Sequence, residues 1–259
     1  MKKTLCAIAL VASLLPVAAL AANKKPAVPS MVKSHGPVQK LHMAPPSLFP
    51  PSYCSPSCLF YGGDTNVDAP NVNGFANDNT LLVPDTTTWV AFTVPAGQTW
   101  TVDGLFINTI ADGFNGLDPT ESTWAIASGL SEGSGGTTVA SGTSTAAGTS
   151  FNPTGRAPFG FTEYTLKVKV SPSVTLSSGT YWMNILPNCT DSGNSDCSIA
   201  QYYVDNTTGG INRYGPIEPA GIHFFNSSFF GFDWANVCEV SSTGCQAFSV
   251  GVIGTGTTD

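Results

Sequence analysis

The densest run of recognition-type side chains is His223–Trp234, HFFNSSFFGFDW, with Phe224, Phe225, Phe229, Phe230, Phe232 and Trp234 in twelve residues. Aromatic faces stack on the apolar faces of sugar rings, and Asn226 and Asp233 would hold the hydroxyls. The competing use for the same rings is a sandwich core. Neighbours on a strand point to opposite faces, so Phe224-Phe225 and Phe229-Phe230 are all buried only where both faces are covered. Phe229, Phe230 and Trp234 are therefore candidate binding residues. Tyr202, Tyr203 and Tyr214 form a second group around the turn-rich Asp205–Gly210 stretch. They suit carbohydrate contact, and equally a loop resting on its own sheet edge.

Glycoside hydrolysis needs two carboxylates about 5 to 10 Å apart. Glu121, near Trp124, and Glu163, beside Tyr164, are the candidate pair. Glu163 belongs to the polar face of its strand, where pairing with Arg156 or a lysine is the structural alternative. A serine triad would rest on His223, the only histidine after residue 50, with Asp233 as orienter, and no G-x-S-x-G elbow accompanies it. No catalytic cofactor is expected. Structural calcium is the one ion retained, at Asp64 and Asp68 or at Asp112 and Asp118. Asp64–Asp68 opens like an EF-hand loop but has Ala69 where the glycine belongs and Phe75 where the closing glutamate belongs.

Cysteines follow from the compartment. Met1-Lys2-Lys3, the apolar run Leu5–Leu20 and the small residues Ala19 and Ala21 predict a cleaved signal peptide over residues 1–21. The run is too short for a membrane span and contains Pro16. The expected product is secreted or periplasmic, with no membrane span after cleavage. Six cysteines then remain: Cys54, Cys58, Cys189, Cys197, Cys238 and Cys245. Six permit fifteen connectivities, and the simplest joins each close pair: Cys54–Cys58, Cys189–Cys197 and Cys238–Cys245. A zinc site is disfavoured because no C-x2-C spacing occurs.

The elements that must position these groups read as strands. Tyr164, Leu166, Val168 and Val170 alternate with Thr165, Lys167 and Lys169, a half-buried strand. Trp100–Ile110 also alternates, placing Trp100, Val102, Gly104, Phe106 and Asn108 opposite Thr101, Asp103, Leu105 and Ile107. Tyr181–Leu186 and Phe248–Ile253 are short apolar runs of strand type. Thr87–Val94 runs through Pro95-Ala96-Gly97-Gln98 into the Trp100 strand, which predicts a hairpin. No stretch after residue 50 carries capped helical periodicity. The expectation is an all-β antiparallel β-sandwich or jelly roll over 51–259, stapled by local disulfides.

Charge divides the chain. Overall it carries 10 basic and 17 acidic residues, a formal −7, and charged residues make up only 10%. Residues 22–50 hold four lysines, six prolines and no acid, which reads as a basic linker or tail. After residue 50 only Arg156, Lys167, Lys169 and Arg213 oppose all 17 acids, leaving −13. Nucleic-acid binding by such a domain is excluded on charge grounds.

Trp124–Gly142 (WAIASGLSEGSGGTTVASG), Thr154–Thr165 (TGRAPFGFTEYT) and Leu176–Asn188 (LSSGTYWMNILPN) together resemble a group of exported bacterial β-sandwich proteins, often surface-associated. The resemblance covers roughly residues 99–188. It implies a sandwich fold and export, and since its motifs are turn and core patterns it transfers no catalytic residue. Many members of that group end in a sorting segment, and Gly254–Asp259 contains none. The functional expectation is a non-catalytic exported protein contacting glycans or a cell-surface protein. The alternative is a secreted carbohydrate-active enzyme using paired carboxylates on a sheet face.

Overall fold

The computed structural model describes residues 54, 56–65, 74–79, 83–112, 121–188, 201–207, 212–216, 222–241 and 244–258. The signal and linker expectations for 1–50 lie outside these residues, as do Asp68, Asp118, Cys189, Cys197 and the side chain of Asp112.

Two antiparallel sheets pack face to face. The larger contains β1 (Cys58–Tyr61), β2 (Gly74–Ala76), β4 (Gln98–Asp112), β7 (Thr149–Pro153), β8 (Glu163–Leu176), β10 (Gln201–Thr207), β13 (Ala247–Phe248) and β14 (Val250–Thr258). The smaller runs β12 (Phe232–Asn236), β11 (Phe224–Ser227), β3 (Thr86–Val94), β9 (Gly179–Asn188), β5 (Glu121–Ser128) and β6 (Thr137–Thr145). One helical turn, α1 (Val237–Val240), follows β12 and is capped by the Asn236 side chain. No helix among the described residues is long and apolar enough to cross a membrane.

β4 is the axis of the larger sheet. One edge pairs with β8; the other pairs with β14 as far as Ile107, and β10 takes over from Thr109 to Asp112. The alternating strand Tyr164–Val170 behaves as its pattern requires, with Leu166, Val168 and Val170 buried. β4 departs from strict alternation. Trp100 and Val102 face the core, yet so do Leu105 and Ile107. Against β14, Val102 and Gly104 face the adjacent residues Gly254 and Ile253, so β4 carries one extra residue there and exchanges its faces, as a β-bulge does. The expected hairpin across Pro95–Gln98 does not form. β3 pairs with β9 and β11, and the turn, closed by Gln98 N–H on Pro95 O at 3.1 Å, carries the chain between sheets.

Inward side chains of both sheets form one core, including Phe92, Trp100, Leu105, Ile126, Leu166, Ile185, Phe225 and Val252. Burying each such side chain contributes about 1.5–3 kcal/mol. Among the described residues two local disulfides are present, Cys54–Cys58 and Cys238–Cys245. The first pins the segment entering β1, and the second closes the loop between α1 and β13.

Candidate functional site

Phe224 and Phe225 enter β11 on opposite faces, and both faces are covered. Phe225 packs edge-on against Phe75 in the core, with centroids 5.8 Å apart. Phe224 lies on the outer face of the smaller sheet. Register places Phe224 opposite Trp89 on β3, and Ala91 opposite Trp182 on β9, which itself faces Ala127 on β5. The result is a band of Phe224, Trp89, Ala91, Trp182 and Ala127, flanked by Leu130, Ile222 and Trp234.

Three tryptophans in this band serve differently. Trp182 is locked as a floor, its indole N–H donating to Ile222 O at 2.5 Å. Trp89 and Trp234 remain half-buried, their rings 5.4 Å apart and inclined at 50°. Trp89 Nε1–H donates to Thr87 Oγ1 at 3.1 Å, which fixes its ring. Trp234 has φ +46°, a left-handed conformation that costs a bulky residue about 1–3 kcal/mol. Its ring rests on Gly135 of the β5–β6 turn, where a Cβ would approach to 2.4 Å. Gly133 N–H to Trp234 O at 3.2 Å ties that turn to the strand. Asn226, whose Oδ1 receives Trp234 N–H at 3.4 Å, and Thr87 supply polar groups beside the rings.

A second constellation occupies the outer face of the larger sheet. Glu163, opposite Ile110, and Asp205, two residues after Tyr203, project to the same side and are fully buried. Arg156 Nη2 lies 2.6 Å from Glu163 Oε2, and Arg156 Nη1 lies 2.6 Å from Asp64 Oδ1. Thr154 donates to Glu163 Oε2 at 2.5 Å, Tyr61 to Asp64 Oδ1 at 2.5 Å, and Asn212 to Asp64 Oδ2 at 2.7 Å. Asn108 extends the network, donating to Ser249 Oγ at 2.7 Å and accepting from Thr165 at 2.7 Å.

Burial works against the charge on Arg156, but Glu163, Tyr61 and Asp64 outweigh it and raise its pKa. Burial, then repulsion from Glu163, holds the Asp205 carboxyl well above the usual carboxylate range. Two ionised carboxylates offer each other only acceptors. A proton on Asp205, directed to Glu163, satisfies the pair while Glu163 Oε2 stays on Arg156.

No protein-family model, curated protein or solved structure matches the chain. Its site is therefore read from its own geometry.

The sequence candidates separate. Glu121 starts β5 in the smaller sheet and Glu163 starts β8 in the larger, so the proposed carboxylate pair is split between sheets. The carboxylate that does meet Glu163 is Asp205. Tyr202 and Tyr203 are buried on opposite faces of β10, Tyr202 edge-on to Phe151, which removes both from a ligand-facing surface. Tyr214 is half-buried and bridges by backbone to Tyr61. Phe230 is buried, whereas Phe229 is 52% exposed at the β11–β12 turn. Asp64 spends its oxygens on Tyr61, Arg156 and Asn212. His223 is buried with Nδ1 accepting from Ala91 N–H at 3.1 Å, and Asp233 is exposed, so no triad assembles around it.

Trp89 and Trp182 were not among the sequence candidates. The signal was present in Trp89-Val90-Ala91-Phe92, which alternates a Trp/Ala face with a Val/Phe face.

Proposed function

We propose that this chain is a non-catalytic exported binding protein that recognises glycans on the outer face of its smaller sheet. The observation that carries the reading is the Trp89–Trp234 pair, half-buried and inclined, with Trp234 held in a left-handed backbone against Gly135. A strained aromatic costs stability, and that cost is explained where the ring has work to do at a surface. Sugar rings take such platforms through their C–H faces, with Thr87 and Asn226 in reach of their hydroxyls. Local disulfides suit an oxidising compartment, which supports export.

The enzyme alternative draws less support. Glu163 and Asp205 are sealed beneath Arg156, Asp64 and Tyr61, and Glu121 belongs to the other sheet. The test is a glycan array with the mature chain, run beside a polysaccharide-degradation screen. Binding without degradation is expected, and Trp234→Ala and Trp89→Ala should each weaken it about tenfold or more with unchanged circular dichroism. Silence across the array would sink glycan recognition and move the weight to a surface-protein partner; released oligosaccharides would sink the non-catalytic reading.

A further inference from the structure

The bend that strains Trp234 also decides what stands beside it. Phe232 and Ala235 both point into the core, although strict alternation would send one of them outward. Against β11, Phe225 faces Ala235 and Ser227 faces Phe232, so Asn226 alone is opposed by both Asp233 and Trp234. That is a β-bulge, and it turns two consecutive side chains of β12 outward together. Trp234 is half-buried against Gly135, while Asp233 is exposed. A cleft of about 530 Å³ runs alongside, lined by residues that include Asp85, Asn226, Ser228 and Asp233. Among the described residues no lysine or arginine pairs with Asp85 or Asp233. None could do so from this sheet, because β3, β5, β6, β9, β11 and β12 contain no Lys, Arg or His. The cations after residue 50 lie elsewhere. Lys167 and Lys169 are on the outward face of β8 in the larger sheet, Arg156 is on Glu163 and Asp64, and Arg213 is buried.

We propose that the Trp89–Trp234 site takes glycans bearing free amines, of which a chain of unacetylated glucosamine is the simplest. The ligand class rests on glycan recognition at this face and narrows it by charge. Sugar C–H faces need only the two rings, so neutral and cationic sugars share that contact. An ammonium adds two more. The face of an aromatic ring attracts a cation within about 6 Å of its centre, and tryptophan does so most strongly. Asp233, beside Trp234 on the same face, supplies the counter-charge, with Asp85 on the same cleft. Anionic glycans such as uronates and sulfated chains meet the opposite arrangement, carboxylates without a lysine or arginine to hold them. The net −13 after residue 50 adds long-range attraction for a polycation.

The test is isothermal titration calorimetry of the full mature chain with two hexasaccharides of identical backbone, one of glucosamine and one of N-acetylglucosamine. It is run at about pH 5.5, where the free amines are charged. The glucosamine chain should bind about tenfold more tightly in about 50 mM salt, and the preference should shrink to about twofold in about 500 mM. Asp233→Asn should remove most of the preference and leave affinity for the acetylated chain unchanged, whereas Trp234→Ala should weaken both. Equal affinities, tighter binding of the acetylated chain, or a preference that survives Asp233→Asn overturn the proposal. So does salt-sensitive binding that ignores Trp234→Ala, which is attraction to the acidic domain at large. Glycan recognition itself is judged separately. Neutral chains bound through Trp234 with no preference for amines leave it standing, and silence toward every glycan sinks both.

Discussion

His223 gives the sharpest handle on the interior. The ring is buried, edge-on to Phe248 at 5.3 Å, and its Nδ1 accepts the Ala91 N–H at 3.1 Å. Burial pushes its pKa down from 6.5 to about 4. In the unfolded chain the imidazole takes a proton below pH 6.5, whereas the folded state refuses it until about pH 4. The unfolded state therefore binds more protons across that window, and stability rises with pH there. The contribution is whole above pH 6.5 and is lost as pH falls toward 4, where it levels off. A gap of that size corresponds to about 3 kcal/mol at about 1.36 kcal/mol per pH unit. His223→Asn cannot take up this proton yet keeps an acceptor for Ala91. Urea titrations of both proteins from pH 4 to 8 isolate the term, because the carboxylates common to both cancel in the difference. The wild type should lose about 3 kcal/mol more than the variant between pH 7 and 4. Parallel stability profiles would refute the reasoning.

Two further outcomes follow from packing and charge. Arg156→Met removes the guanidinium shared by Asp64 and Glu163 and should cost about 2–4 kcal/mol in denaturant unfolding; a change under about 0.5 kcal/mol would mean the ion pairs add nothing. Gly251→Ala sets a Cβ 2.1 Å from the Phe106 ring and 2.9 Å from Phe60 O, so Tm should drop by an amount equivalent to about 1–3 kcal/mol, and an unchanged Tm would show that β14 shifts freely.

Local pattern carried the fold as far as each strand's own alternation reached. Leu166, Val168 and Val170 announced their face because period-two spacing directly encodes burial. The face exchange at Gly104 was hidden, since a bulge is defined by the partner strand β14 and not by β4 alone. Pro95–Gln98 has the residues of a tight turn, but turn chemistry does not say whether the next strand pairs or crosses to the other sheet. The aromatic run divided as strand geometry demanded, one ring inward at Phe225 and one outward at Phe224. Glu163 stands among the sequence candidates, and of its structural alternatives, Arg156 or a lysine, the pair formed is with Arg156. Its real neighbour, Asp205, is far along the chain and meets it only because β8 and β10 both pair with β4 near Ile110. Such a juxtaposition has no signature in spacing.

The placement of β14 carries a consequence for how the chain comes to be folded. The strand that ends at Thr258 is wedged between β1, which begins at Cys58, and the long axis β4. The first described strand thus has no sheet to join until the last one has arrived. Pairings that span nearly the whole domain carry a large loop-closure cost and form slowly. The larger sheet closes only once β14 is in place between β1 and β4. Until then β1 has no partner edge in that sheet.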